Sequence, residues 1–229
     1  MSLGGMTKRL LDDAMPYHLS RRGYIWSVAV PVLCALFMAG ISLCFPQVRL
    51  LVHAQRVREI SHTQGVDAHR FDPEWFDAAR AGRVDILRAL YEAHYPINSQ
   101  TQRGYTAVIL AAYNQKPEAL AYLLSIGADA CQRDGNGNTA LMGAIYKGHA
   151  DVARTLLEAP CPIDQINHAG ETALAFAALF GRLDVLSELV GRGADPTHTD
   201  SHGHTPLDVA LQQGNEDAVR LLRKLGATH

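Results

Sequence analysis

Two patterns divide the chain. From Tyr24 to Phe45 it reads YIWSVAVPVLCALFMAGISLCF, with no charged residue among the 22 positions. As a helix this run spans about 33 Å, the thickness of a bilayer's hydrocarbon core. From Phe71 onward, apolar and small residues return in register every 33 residues. Leu90, Leu123, Leu156, Leu189 and Leu222 form one column, and Ala111, Ala144, Ala177 and Ala210 another. A fixed period of this length is the mark of stacked supersecondary units, each unable to bury its apolar face alone.

Gly104, Gly137, Gly170 and Gly203 share one register, as do Thr106, Thr139, Thr172 and Thr205 two residues later. The glycines predict turns that other residues resist, and the threonines predict N-caps of a first helix. Gly82, Gly148, Gly181 and Gly214 end that helix, with Gln115 the one break in the column. The Ala column lets the next unit approach closely, and the Leu column fills the core from a second helix. The first unit lacks the Gly-Thr loop and opens on Asp72-Pro73-Glu74-Trp75, a helix-start pattern. The last ends in Arg220, Arg223 and Lys224. Both ends suit polar caps.

The apolar run is expected to be a transmembrane helix. Tyr24 and Trp26 belong at the headgroup level, Arg21 and Arg22 abut one end, and Pro46 stops the other. Pro31 is a candidate kink of a kind that membrane helices tolerate. A cleaved signal peptide is the first competing reading, but its candidate site, Val52-His53-Ala54, lies beyond Arg49. Twin-arginine export is the second, from Ser20-Arg21-Arg22-Gly23-Tyr24-Ile25; ordinary positive-inside anchoring explains the same arginines. Lys8, Arg9, Arg21 and Arg22 stand before the span against Arg49, Arg56 and Arg58 after it. The closer first group and a short N-terminal tail place the repeats on the outer side. Val48, Leu51, Val52 and Gln55 share a helical face in an amphipathic connector. The expected layout is a tail over 1–23, a membrane helix over 24–45, a connector over 46–70 and a repeat domain over 71–229. The repeats fall at about 71–100, 101–133, 134–166, 167–199 and 200–229.

Gly-Asn-Thr-Ala-Leu at 137–141, Gly-His-Thr-Pro-Leu at 203–207 and Gly-Ala-Asp at 193–195 resemble the ankyrin repeat, with its G-x-T-P-L-H-x-A-A and G-A-D signatures. The resemblance runs from Phe71 to the C-terminus. It implies an all-α solenoid of about five repeats, each a loop and two helices. The family's loop-bracing His is replaced by Ile109, Met142, Ala175 and Asp208, and Pro160-Cys161-Pro162 stands in place of one Gly-Ala-Asp. In size and layout the chain is similar to small bacterial ankyrin proteins with one N-terminal anchor, some of them periplasmic and associated with catalase. That resemblance implies a bacterial inner-membrane location, periplasmic repeats and a part in peroxide protection.

Charge narrows the choice of partner. Residues 1–70 carry eight Lys/Arg and four Asp/Glu, whereas residues 71–229 carry 13 and 19. The acidic half is the repeating half, which argues against nucleic acid as its ligand. The basic half flanks the apolar run, beside anionic headgroups. Cys34 and Cys44 lie in the apolar run. Cys131 and Cys161 show neither C-x-x-C nor zinc-ligand spacing and are expected as free thiols or packing residues.

No nucleophile elbow, phosphate-binding Gly loop or metalloprotease motif is present in the sequence, so no enzyme and no cofactor are expected. His198, His202 and His204 could converge on a cation, but three solvated loop residues is the plainer reading, and no metal is expected. A binding surface is left. In ankyrin stacks the loop tips and the exposed side of the first helices take the partner. The matching tips are Arg103, Tyr105, Asn136, Asn138, Glu171, His202 and His204. The matching helix positions are Ile109, Tyr113, Met142, Tyr146, Leu179 and Gln212, with Tyr113, Tyr146 and Leu179 forming a stripe. The expected function is a membrane-anchored scaffold or accessory subunit for another protein, touching lipid through residues 24–45. The alternative is an immunity or inhibitor protein that neutralises a toxin or enzyme.

Overall fold

The computed structural model describes residues 67–227. The expected tail, the membrane helix over 24–45 and nearly all of the connector lie outside the described residues. Among the described residues no helix is long and apolar enough to cross a membrane.

A short 3-10 turn, Ala68–Phe71, leads into five helix pairs. These are α1 (Asp72–Ala81) with α2 (Val84–Glu92), α3 (Ala107–Tyr113) with α4 (Pro117–Ser125), and α5 (Ala140–Lys147) with α6 (Ala150–Leu157). Then come α7 (Ala173–Leu179) with α8 (Leu183–Gly191), and α9 (Pro206–Gln212) with α10 (Glu216–Lys224). The first helices α1, α3, α5, α7 and α9 pack side by side, and so do the second helices. Each pair packs on itself and on its neighbours, as a one-dimensional stack requires.

The columns do what their chemistry predicts. The Oγ of Thr106, Thr139 and Thr172 accepts from the N–H of Ile109, Met142 and Ala175 at 3.2–3.3 Å. At Thr205 the cap is reciprocal: Asp208 N–H donates to the threonine Oγ, and the Asp208 carboxylate accepts from Thr205 N–H at 2.9 Å. Asp208 thus braces the loop from the position where the family carries His. All four threonines, the Ala column and the Leu column are buried.

The loop glycines meet two demands. Gly104, Gly137 and Gly170 have φ of 77, 82 and 76°, and a Cβ on each would come within 2.5–2.8 Å of the next loop's backbone. That closeness permits a ladder in which Gly135, His168 and Ser201 N–H donate to Arg103, Asn136 and Ala169 C=O at 2.8–3.0 Å. At the helix-end column Gln115 takes φ of 51°, in the left-handed region occupied by Gly82, Gly148, Gly181 and Gly214. The backbone demand persists there although the glycine does not.

One expectation is overturned. Cys131 and Cys161 are neither free nor mere packing: they form a disulfide with a Cα–Cα distance of 5.4 Å between the second and third units. The reason lies in the register. At the junction of units 1 and 2, Asp129 N–H donates to Asn98 Oδ1 at 2.9 Å; at the junction of units 3 and 4, Asp195 N–H donates to Asp164 at 3.1 Å. Both links join residues 31 apart. The equivalent pair between units 2 and 3 is Cys131 and Pro162, and proline has no N–H to donate. A covalent bond one residue earlier, at Cys161, takes the place of that hydrogen bond.

Candidate protein-binding face

Each loop tip is shaped by one side chain. Asp134 Oδ1 accepts from the N–H groups of Asn136 and Asn138 at 2.9 and 2.8 Å. Asn167 Oδ1 does the same for Ala169 and Glu171, both at 2.9 Å, and Asp200 Oδ1 for His202 and His204 at 2.8 and 2.9 Å. Thr101 Oγ accepts from Tyr105 N–H at 3.0 Å. Every tip therefore presents the residues two and four positions after its anchor.

Among those residues, Arg103, Asn136 and His202 are exposed, and Tyr105, Asn138, Glu171 and His204 are half-buried. Asn138 and Glu171 already have work within the stack. Asn167 Nδ2 donates to Asn138 Oδ1 at 3.0 Å and to Glu171 Oε2 at 2.8 Å. Sequence reasoning did not single out Asn167, a buried polar side chain; its place beside Asp134 and Asp200 in the period was the available signal.

The first-helix positions separate. Ile109 and Met142 are buried, at 4% and 0% exposure, and belong to the core rather than to the candidate face. They are the third residues of short helices, where the capping threonine holds the N–H. One turn later the same face opens out: Tyr113 and Tyr146 are 39% and 46% exposed, Leu179 is half-buried and Gln212 is exposed.

Tyr113 and Tyr146 stack across units, with ring centroids 6.1 Å apart and planes 15° from parallel. Gly143 lies beneath Tyr113, and the Lys147 ammonium sits 4.7 Å from its ring centroid. The stripe continues through Phe180, edge-on to Tyr146 at 5.1 Å, and Phe176 at 6.0 Å beyond it. Phe180 is one position off the Tyr column, so reading the column alone assigned its place to Leu179. The result is a row of half-exposed rings across units 2 to 4, edged by a cation.

In the last loop the Asp200 carboxylate holds His202 and His204. Burial by itself would raise its pKa; the N–H donors of His204 and His202 and their imidazoles outweigh that and set it below the ordinary value. His198 is turned away, its Nε2 lying 3.0 Å from Gly170 C=O.

A solenoid of capped helix pairs linked by a loop ladder is a repeat scaffold whose exposed surface is available for recognition. The chain belongs to the ankyrin-repeat family: the family described as ankyrin repeats (three copies) matches residues 75–167 and 159–229. That family is in general a protein-interaction module rather than an enzyme. Over 64 residues the chain is 39% identical to Ankyrin repeat and SAM domain-containing protein 6 of Rattus norvegicus, covering 28% of this chain and 7% of that protein. Over 88 residues it is 32% identical to Alpha-latroinsectotoxin-Lt1a of Latrodectus tredecimguttatus, covering 36% of this chain and 6% of the toxin. The matched regions thus span less than a tenth of these relatives' length.

Proposed function

We propose that this chain is a membrane-anchored protein-interaction module whose repeats lie on the outer, oxidising side of the membrane. There they serve as scaffold or accessory subunit for a partner protein. The observation that carries the reading is the Tyr113–Tyr146–Phe180 row, three aromatic residues on neighbouring units with the two tyrosines exposed. Aromatic rings are the favoured anchors of protein interfaces because they offer large contact area at low entropy cost. Two further features support the location. Residues 24–45 are an uncharged run long enough to span a bilayer. The Cys131–Cys161 disulfide suits an oxidising compartment and not a reducing cytosol. Tethering would hold the aromatic row near the bilayer and raise its effective concentration for a membrane-associated partner. The resemblance to anchored periplasmic ankyrin proteins makes catalase the first partner to try, and peroxide protection the first phenotype.

The test uses the full chain in detergent, with catalase as prey. Tyr113→Ala and Tyr146→Ala should each lower the Tm by no more than about 2–4 °C, as expected for a loss near 1 kcal/mol from a half-exposed ring. Together they should abolish partner capture. Leu156→Ala removes a buried side chain of the Leu column and should cost about 2–5 kcal/mol. If the tyrosine variants destabilise as much as Leu156→Ala, the row is core; if they capture the partner undiminished, the face is misplaced. A reporter active only outside the cytoplasm, fused after His229, checks the orientation independently.

A further inference from the structure

The loop anchor of the last unit differs from its counterparts in what surrounds its second oxygen. In every tip the anchor's Oδ1 or Oγ is spent on backbone N–H groups. At Asp200, Oδ2 additionally faces two imidazoles, His204 Nδ1 at 3.5 Å and His202 Nδ1 at 3.9 Å. The two rings lie nearly parallel, 20° apart, with centroids separated by 6.0 Å. One carboxylate oxygen and two ring nitrogens thus all fall within 4.8 Å of one another. In the other units the same two tip positions carry Arg103 and Tyr105, Asn136 and Asn138, and Ala169 and Glu171, none of which supplies a pair of nitrogen ligands.

We propose that Asp200, His202 and His204 form a site for a divalent transition-metal ion of the zinc, nickel or copper class. The donor set is two neutral imidazoles and one carboxylate, which suits borderline ions and not calcium or magnesium. Donors about 2.0–2.2 Å from one ion in tetrahedral arrangement stand roughly 3.4 Å from each other. The Asp200–His204 pair is already at that spacing, and His202, whose side chain is 72% exposed and held only by a 3.4 Å contact of its Nδ1 with Ser201 Oγ, closes the remaining gap by exchanging that contact for the metal. The carboxylate is the fixed point: only 10% exposed, it is oriented by the two N–H groups on Oδ1, an arrangement that serves a metal as an outer hydrogen bond serves a ligand. His198 is outside the site, because its ring is engaged with Gly170. Three protein donors leave the remaining positions to water or to a donor from a bound protein.

The stack supplies its own control. Asn167 anchors the preceding loop through the same two hydrogen bonds, so an asparagine at 200 can keep the fold while losing the anionic ligand. The full chain in detergent, freed of any histidine tag, is titrated with Zn2+ by calorimetry and with Co2+ by visible absorption. Expected is one high-affinity equivalent with a cobalt spectrum of nitrogen and oxygen ligation. Asp200→Asn, His202→Asn and His204→Asn should each weaken binding at least about tenfold, with an unchanged helical circular-dichroism signal. His198→Asn should bind as the parent does. Absence of a Zn2+ or Co2+ equivalent in the parent protein overturns the proposal. So does binding that survives in the His202→Asn/His204→Asn double variant, or a loss in His198→Asn equal to that in His204→Asn.

Discussion

The junction of units 2 and 3 and the junction of units 3 and 4 occupy the same place in the period and are fastened by different chemistry. Between units 3 and 4 the links are polar. Arg182 Nε donates to Ile145 C=O at 3.2 Å, Arg192 Nη1 donates to Leu157 C=O at 2.9 Å, and Asp164 accepts from Asp195 N–H. Arg192 also pairs with Glu158 and Glu188, and Arg154 lies 3.4 Å from Glu188. One period earlier, His149 stands where Arg182 stands, Ala159 where Arg192 stands, and Cys131 and Pro162 where Asp164 and Asp195 stand. The two arginine clamps and the Asp164–Asp195 bond are replaced by a disulfide, beside which Gln165 Nε2 donates to Cys131 C=O at 3.1 Å and Arg133 Nη1 to Ile166 C=O at 3.2 Å. Because a repeat stack is stabilised mainly between nearest neighbours, one strong link can replace several weak ones without disturbing the apolar columns beneath. The difference also changes what each junction responds to: the junction of units 2 and 3 answers to redox conditions, and the ion pairs at the junction of units 3 and 4 answer to salt.

The largest effect should therefore come from opening the disulfide. Reduction, or Cys131→Ser, should lower stability by about 2–4 kcal/mol, as expected for a bridge that closes a loop of some thirty residues. Unfolding of the full chain in detergent, with and without dithiothreitol, measures it. Thiol titration of the denatured chain should find two more reactive thiols after reduction than before it. If reduction leaves stability unchanged, the covalent link is not what fastens units 2 and 3.

A smaller effect is expected at the polar junction. Asp164→Ala removes the acceptor for Asp195 N–H and should cost about 1 kcal/mol, the usual net value of such a bond. The two junctions can also be interconverted. Cys131→Asp with Cys161→Ala and Pro162→Asp rebuilds the hydrogen bond of units 3 and 4 between units 2 and 3. That variant should recover about 1 kcal/mol of the stability lost on reduction and should no longer respond to dithiothreitol.

The contrast also separates what the sequence made visible from what it hid. Caps, loop glycines and the Leu and Ala columns were legible because each recurs at 33 and has a single physical reason. The disulfide was hidden because its two cysteines do not share a column. They are 30 residues apart, close to the 31 of the Asn98–Asp129 and Asp164–Asp195 links, and only knowledge of that inter-unit link makes the spacing meaningful. The candidate face was half legible. Tyr113 and Tyr146 are exposed as the column implies, but Ile109 and Met142 were assigned to the same face although one helical turn of a seven- or eight-residue helix separates core from surface. Phe180 was missed for the same reason, since the row continues one residue past the column, at the C-cap of α7. At Asp200 the loop pattern accounted for one carboxylate oxygen and gave no reason to ask where the other pointed.

The smallest effect concerns the remaining difference between the two junctions, the residue that ends the first helix. In unit 3 this is Gly148, at φ of 77°, with the Arg182 guanidinium 3.0 Å from where a Cβ would stand. In unit 2 it is Gln115, held at φ of 51°. A non-glycine residue in the left-handed region carries about 1–2 kcal/mol of strain. Replacing it with glycine relieves that strain, while the more flexible unfolded chain returns roughly 0.5–1 kcal/mol of the gain. Gln115→Gly should accordingly raise stability by about 0.5 kcal/mol, near 1–2 °C in Tm. The opposite exchange, Gly148→Gln, should lower it by more than the strain alone, because the new Cβ must also displace Arg182 and weaken its bond to Ile145. Differential scanning calorimetry of both variants reads the comparison directly. A destabilised Gln115→Gly would mean that the glutamine makes contacts worth more than its backbone strain, and that the left-handed position is a tolerated cost of unit 2 and not a defect in it.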